Sequence, residues 1–218
     1  MPIKTDREYR NFNMLKRARE EGEEKNYIVE GYASTFDEYE LYRFRDEVWR
    51  ERIEPSAFDD ADMDDVVFLL DHTGRVYART KNDTVKLSVD DHGLFTQTDL
   101  SKTESSRGVY EDIDAGNYSQ MSFAFTVAED HYDVRNAEDG VTTYTRIIDR
   151  IKKVYDISAV GFPANPNTDI GVATREAFDG AIERFKAERL SEERAKQEKA
   201  RQEALAKLKF MEVTNNDY

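Results

Sequence analysis

At 218 residues, with 39% hydrophobic, 36% charged and 11% aromatic residues, the chain has a charge-rich but foldable composition, with room for one substantial core plus an appendage. A net charge of −14 argues against nucleic-acid binding, which draws on clustered Lys and Arg, and the absence of cysteine excludes disulfides, thiolate catalysis and cysteine-based zinc sites. No apolar run reaches the ~20 residues of a membrane helix, MPIKTDREYR lacks the apolar core of a signal peptide, and three scattered histidines offer little to a transition metal; a cytoplasmic protein working through oxygen or histidine chemistry, without metal or cofactor, is expected.

Residues 1–25 read as an N-terminal arm in which REYRNFNML (7–15) is either an edge strand or a frayed segment. Strand patterns rich in β-branched and aromatic residues follow at 26–36, 64–71, 74–80, 84–89, 93–100, 120–127, 142–149 and 152–160. Two helical segments interrupt them, PSAFDDADM (55–63) and TESSRGVYEDIDAG (103–116), the second ending in a glycine suited to a helix C-terminus. Asp90, Asp91, His92 and Gly93 make a turn, with glycine supplying positive φ, so 84–89 and 93–100 should pair as a hairpin. Many short strands with few helices predict a mainly β, α+β fold over 26–173: a closed or nearly closed antiparallel β-barrel, which removes exposed edges. From 174 to 218 the pattern changes to a long charged C-terminal helix and tail. Phe178, Ile182 and Phe185 there have helical spacing, and from 175 to 209 ten basic residues nearly balance eight acidic ones.

Three residues could carry chemistry. In QMSFAFTV, alternation puts Met121, Phe123, Phe125 and Val127 on one face and Ser122 with the small Ala124 and Thr126 on the other. Small neighbours leave room for a substrate carbonyl, although a strand serine is ordinarily just a solvent-facing side chain. His72 follows the apolar run VVFLLD at a strand end, a place suited to a base, although a histidine there is more often a turn residue bonded to a nearby carbonyl. Asp156 interrupts an apolar strand in KKVYDISAV, and a carboxylate there needs a partner, either a surface Lys or Arg or a histidine. His92 reads as a turn residue and His131, in EDHYD, as a solvated side chain.

Taken together, VEGYASTF, RIEPSAF, VVFLLDHTGRVYART, DDHGLFTQTDL, DIDAGNYSQ, MSFAF and VYDISAVGFPANP resemble, in this order, the prohead maturation serine proteases of tailed phages, a family related in fold to the herpesvirus capsid protease assemblin. The resemblance runs from about Tyr27 to Thr168. It implies His72 as the base, Ser122 as the nucleophile and Asp156 as the acid. The family often places glutamate at the last position, where this sequence has aspartate. By analogy with assemblin, backbone N–H groups around Ala164 and Asn165 would form the oxyanion hole.

The same resemblance implies a serine endopeptidase without cofactor, acting in the host cytoplasm inside assembling proheads. Its partners would be the major capsid protein and the scaffold segment, with autocleavage and with self-association left open. The charged tail would recruit the enzyme to scaffold helices, be removed by autoprocessing, or stand as a solvated helix. Two other classes compete with this reading: an inert scaffold or capsid-assembly protein that keeps a protease-like barrel, and an unrelated β-barrel binding module.

Overall fold

The computed structural model describes residues 7–13, 26–138, 140–161, 185–187, 190–191, 194–199 and 201–202. The chain divides into two compact units, Met1–Thr174 and Arg175–Tyr218. In the first unit the elements run β1 (Glu8–Asn13), β2 (Ile28–Thr35), β3 (Tyr39–Phe44), β4 (Glu47–Ile53), a 3-10 turn at Pro55–Phe58, β5 (Val67–Leu70) and β6 (Thr73–Arg79). A second 3-10 turn at Thr80–Asn82 leads to β7 (Val85–Val89), β8 (Gly93–Asp99), the helix α1 (Glu104–Asp114), β9 (Gln120–Asn136) and β10 (Thr142–Val160).

Two sheets result. The larger has the order β1-β9-β10-β4-β3, with β5 also paired to β10 and β6 paired to β5; the smaller is β2-β8-β7. The mainly β class agrees with expectation, but among the described residues neither sheet closes, and the expected barrel of assemblin-like type is not built. The reason lies in β10, which spans 19 residues. Its first half pairs in parallel with β4 (Thr142 opposite Glu47, Ile148 opposite Ile53) and its last part pairs in parallel with β5 (Asp156 opposite Val67, Ala159 opposite Leu70). One edge thus serves two strands in tandem, so the sheet branches where a barrel would have to return on itself, and the pairing is not purely antiparallel. The core lies between the sheets, where Val29, Ala33, Val85 and Leu94 of the smaller one meet Phe68, Phe123, Phe125, Val154 and Ile157 of the larger.

Several expected elements appear with altered bounds. The segments at 142–149 and 152–160 are one strand, whose register shifts around Arg150 let it bend without ending. The strand expected at 120–127 continues to Asn136. Strands β3 and β4 were not foreseen, because YELYRF and EVWRERI carry charges where strand patterns carry apolar residues. The helix expected at 55–63 is only the short 3-10 turn, with Ala57 and Phe58 buried. The helix expected at 103–116 forms: Thr103 accepts the Ser106 N–H at its start, Ser106, Val109, Tyr110 and Ile113 are buried at helical spacing, and Gly116 follows at φ 87.

The hairpin of β7 and β8 also forms, with Asp90 Oδ1 accepting the N–H groups of His92 and Gly93. Gly93 serves it differently from expectation. It is not among the positive-φ residues; a Cβ there would lie 2.0 Å from the Ser34 carbonyl oxygen of β2, so glycine is needed to let β2 approach β8. In the second unit, the described residues 185–187, 190–191, 194–199 and 201–202 are helical and all but Phe185 are exposed. A continuous helix over 174–218 is not among the described residues, and Phe178 and Ile182 lie outside them. Among the described residues no helix is long and apolar enough to cross a membrane.

Candidate active site

Ser122 sits in the antiparallel register of β9 and β10, where its partner is Ser158 and the next same-face pair is Ala124 with Asp156. This register follows from alternation, since Met121, Phe123 and Phe125 all enter the core and turn Ser122 and Ala124 to the opposite face. That face is not open to solvent: Ser122, Ala124 and Ser158 are all fully buried.

His72 comes from the connection between β5 and β6, in which Leu70 pairs with Thr73 and only Asp71 and His72 lie between them. Both have positive φ, 46 and 56, the sign a tight two-residue hairpin of type I′ requires and one that glycine or asparagine usually supplies. Three contacts hold the turn over the end of β10. The Asp71 N–H donates to the Ala159 carbonyl at 3.1 Å, the His72 N–H to Ser158 Oγ at 3.3 Å, and the Gly161 N–H to Asp71 Oδ1 at 3.2 Å.

The imidazole so placed bridges the other two residues. His72 Nε2 lies 2.6 Å from Ser122 Oγ, and His72 Nδ1 lies 2.6 Å from Asp156 Oδ1. The imidazole is 16% exposed and the carboxylate 4%. A carboxylate facing Nδ1 favours the tautomer with its proton on that nitrogen, which leaves Nε2 free to accept the Ser122 hydroxyl proton. The structure therefore brings together all three residues singled out in the sequence. Asp156 faces histidine and not a lysine or arginine of the surface. Ala164 and Asn165 lie outside the described residues.

Two further residues of the site escaped sequence reasoning. Ser158 donates its hydroxyl to Asp156 Oδ1 at 2.9 Å, so the carboxylate oxygen that faces the imidazole has a second hydrogen-bonding partner. Its spacing of two from Asp156 put it on the same strand face, a signal that could have found it. Tyr9 of β1 packs its ring on His72, with centroids 4.5 Å apart and planes at 67°; no local pattern links residue 9 to residue 72.

His92 stands in the β7–β8 turn with its ring against Tyr32. His131 lies nine positions beyond Ser122 on β9, about 30 Å at the strand rise, and faces Asp149 at 2.6 Å on an exposed surface. Among the described residues there is no cluster of His, Asp and Glu able to hold a metal ion. The arrangement that remains can do one kind of chemistry: deprotonate a serine hydroxyl through an imidazole whose charge a buried carboxylate balances.

A family model described as caudovirus prohead serine protease matches residues 13–181, a span that holds His72, Ser122 and Asp156. Neither the curated proteins nor the solved structures gave a match.

Proposed function

The chain belongs to the caudovirus prohead serine protease family, and from that membership we propose that it cleaves scaffold, or the scaffold segment of the major capsid protein, inside the assembling prohead, and that it also cleaves itself. Ser122 is the nucleophile, His72 the general base and Asp156 the residue that orients the base. The observation that carries this reading is the unbroken pair of 2.6 Å contacts from Ser122 Oγ through both imidazole nitrogens to Asp156.

In this mechanism Ser122 Oγ attacks the scissile carbonyl while His72 Nε2 takes its proton, and the buried Asp156 stabilises the imidazolium that forms. The tetrahedral oxyanion is assigned to backbone N–H groups around Ala164 and Asn165, by likeness to assemblin. His72 then returns its proton to the leaving amine as the acyl-enzyme forms. Water, activated by the same imidazole, releases the acyl group and restores Ser122.

The test is labelling by a fluorophosphonate, followed by mass spectrometry of the modified residue. Covalent attachment at Ser122 is expected in the wild-type chain, and none in Ser122→Ala, which should fold normally because one small residue replaces another. Co-expressed with its own capsid protein, Ser122→Ala should leave that protein uncleaved and remain full-length itself. Failure of the wild-type chain to react at Ser122 would favour the other class, an inert assembly protein built on a protease-like framework.

A further inference from the structure

We propose that the N-terminal strand β1 is a working part of the peptidase site, with Tyr9 as the residue that positions His72. This inference rests on the serine-peptidase reading above and extends it to a segment almost entirely outside the family match, which begins at residue 13.

The backbone places β1 along the stretch of β9 that carries the nucleophile: Glu8 lies opposite Phe125, Tyr9 opposite Ala124, Arg10 opposite Phe123 and Asn11 opposite Ser122. Alternation then gives β1 two faces with different tasks. Glu8 and Arg10 go to the side of Phe123 and Phe125. Tyr9 goes to the side of Ser122, where the small Ala124 leaves space for its ring to reach His72, 4.5 Å away between centroids. Arg7, next on that side, lies 3.7 Å over the ring of Tyr155 in β10.

The first face is fastened by a network of buried ion pairs. Arg10 grips Glu51 of β4 with two nitrogens, at 2.5 and 2.6 Å, and also reaches Glu8 at 2.8 Å. Arg146 of β10 grips Glu8 with two nitrogens, at 2.5 and 2.9 Å, and contacts Glu51 at 3.2 Å. All four side chains are buried, and Arg146 also donates to Asp130 at 2.5 Å, so each guanidinium meets at least two carboxylates. Buried ion pairs gain little over apolar packing in stability, but they penalise every arrangement that leaves a charge unpaired, and their best attested use is to fix register. A slip of one residue here would carry Glu8 and Arg10 to the serine face and Tyr9 away from the imidazole.

The consequence is positional. His72 hangs from a two-residue turn with Asp156 and Ser122 at its two nitrogens, and Ser158 touches its backbone and lies 3.3 Å from Nδ1. Against the ring itself stands Tyr9, which limits tilting of the imidazole and keeps water from its flank. Small misplacements of a base cost rate without weakening binding.

Tyr9→Ala, Tyr9→Leu and Tyr9→Phe in the full chain test this. The probe is the second-order rate of Ser122 labelling by a small fluorophosphonate, with circular dichroism and melting temperature reporting the fold. Tyr9→Ala should label roughly 10- to 100-fold more slowly. Tyr9→Phe should stay within about twofold of wild type, since the contact is made by the ring, and Tyr9→Leu, which keeps an apolar side chain if the alanine variant folds poorly, should fall between. Folded Tyr9→Ala or Tyr9→Leu labelling at the wild-type rate would overturn the role of Tyr9 and leave the peptidase reading standing. A wild-type chain that never labels would overturn both.

Discussion

His72 is held in a backbone conformation that non-glycine residues seldom adopt, and so is Asp71 before it. Such conformations cost of order 1–3 kcal/mol each and persist where the surroundings impose them. Here Ser158, Ala159 and Gly161 do so, and the result is an imidazole aimed at Ser122 and Asp156 together. The acid is the position most informative to change. Asp156→Asn keeps the shape but removes the charge that balances the imidazolium and lets the wrong tautomer form. Cleavage should fall by up to about 10⁴-fold with the fold intact. Asp156→Glu should keep measurable activity, as the family often has glutamate there, although Ser158 and His72 are spaced for the shorter side chain. Wild-type rates in the Asn variant, measured on capsid protein, would place the orienting acid elsewhere.

At the level of elements, two close approaches decide how the strands lie. The first is β2 against β8 at Gly93, where a Cβ would meet the Ser34 carbonyl oxygen at 2.0 Å and the Thr35 Cα at 2.8 Å. Both are backbone atoms and cannot swing away, so Gly93→Ala should destabilise by about 1–3 kcal/mol in urea unfolding. An unchanged midpoint would show that β2 can retreat freely. The second is β1 on its buried charges. Burial alone would raise the Glu8 carboxyl, but Arg10 and Arg146 outweigh it and hold the group down to about 2. A depressed carboxyl contributes stability that is present above its ordinary range and lost as pH falls towards its folded value. Glu8→Gln should therefore be less stable than wild type near neutral pH by about 3–5 kcal/mol, because two buried guanidinium groups lose a charged partner. The gap should narrow as pH falls from about 4.5 towards 2, as the wild-type carboxyl also becomes neutral. A gap that does not change with pH would mean the charge of Glu8 is not what fastens β1.

On the scale of the whole molecule, the charge is divided unevenly. The chain carries −14, while 175–209 is nearly balanced, so the acidic charge belongs to the β unit. The described helical residues between 190 and 202 are exposed, and their sequence offers Ala, Glu, Gln, Lys and Arg with no apolar stripe. We propose that the residues after about Leu190 are separate from the core in stability and form the segment that recruits the enzyme to scaffold. Ending the chain at Leu190 should shift the melting temperature by no more than about 2–4 °C, equivalent to about 1 kcal/mol for a chain of this size. Incorporation into proheads, read from their protein content, should fall. A large loss of thermal stability would show that the tail packs as part of the core.

What the sequence determined by itself was whatever depends on neighbours along the chain. Alternation in QMSFAFTV fixed which face Ser122 would occupy, a threonine cap and a following glycine fixed α1, and ordered motifs from VEGYASTF to GFPANP carried the family. What the tertiary structure decided depends on residues far apart in sequence. Whether the sheet would close turned on β10 lending one edge to both β4 and β5, and hydrophobic alternation does not encode which strand pairs with which edge. Strand β4 was hidden because Glu51 is buried in an ion network completed by Arg10 and Arg146, 41 and 95 residues away. Tyr9 came to His72 in the same way, across 63 positions that no local pattern spans, through backbone pairing and the packing of side chains, whereas Ser158 shares a strand face with Asp156 by a spacing of two.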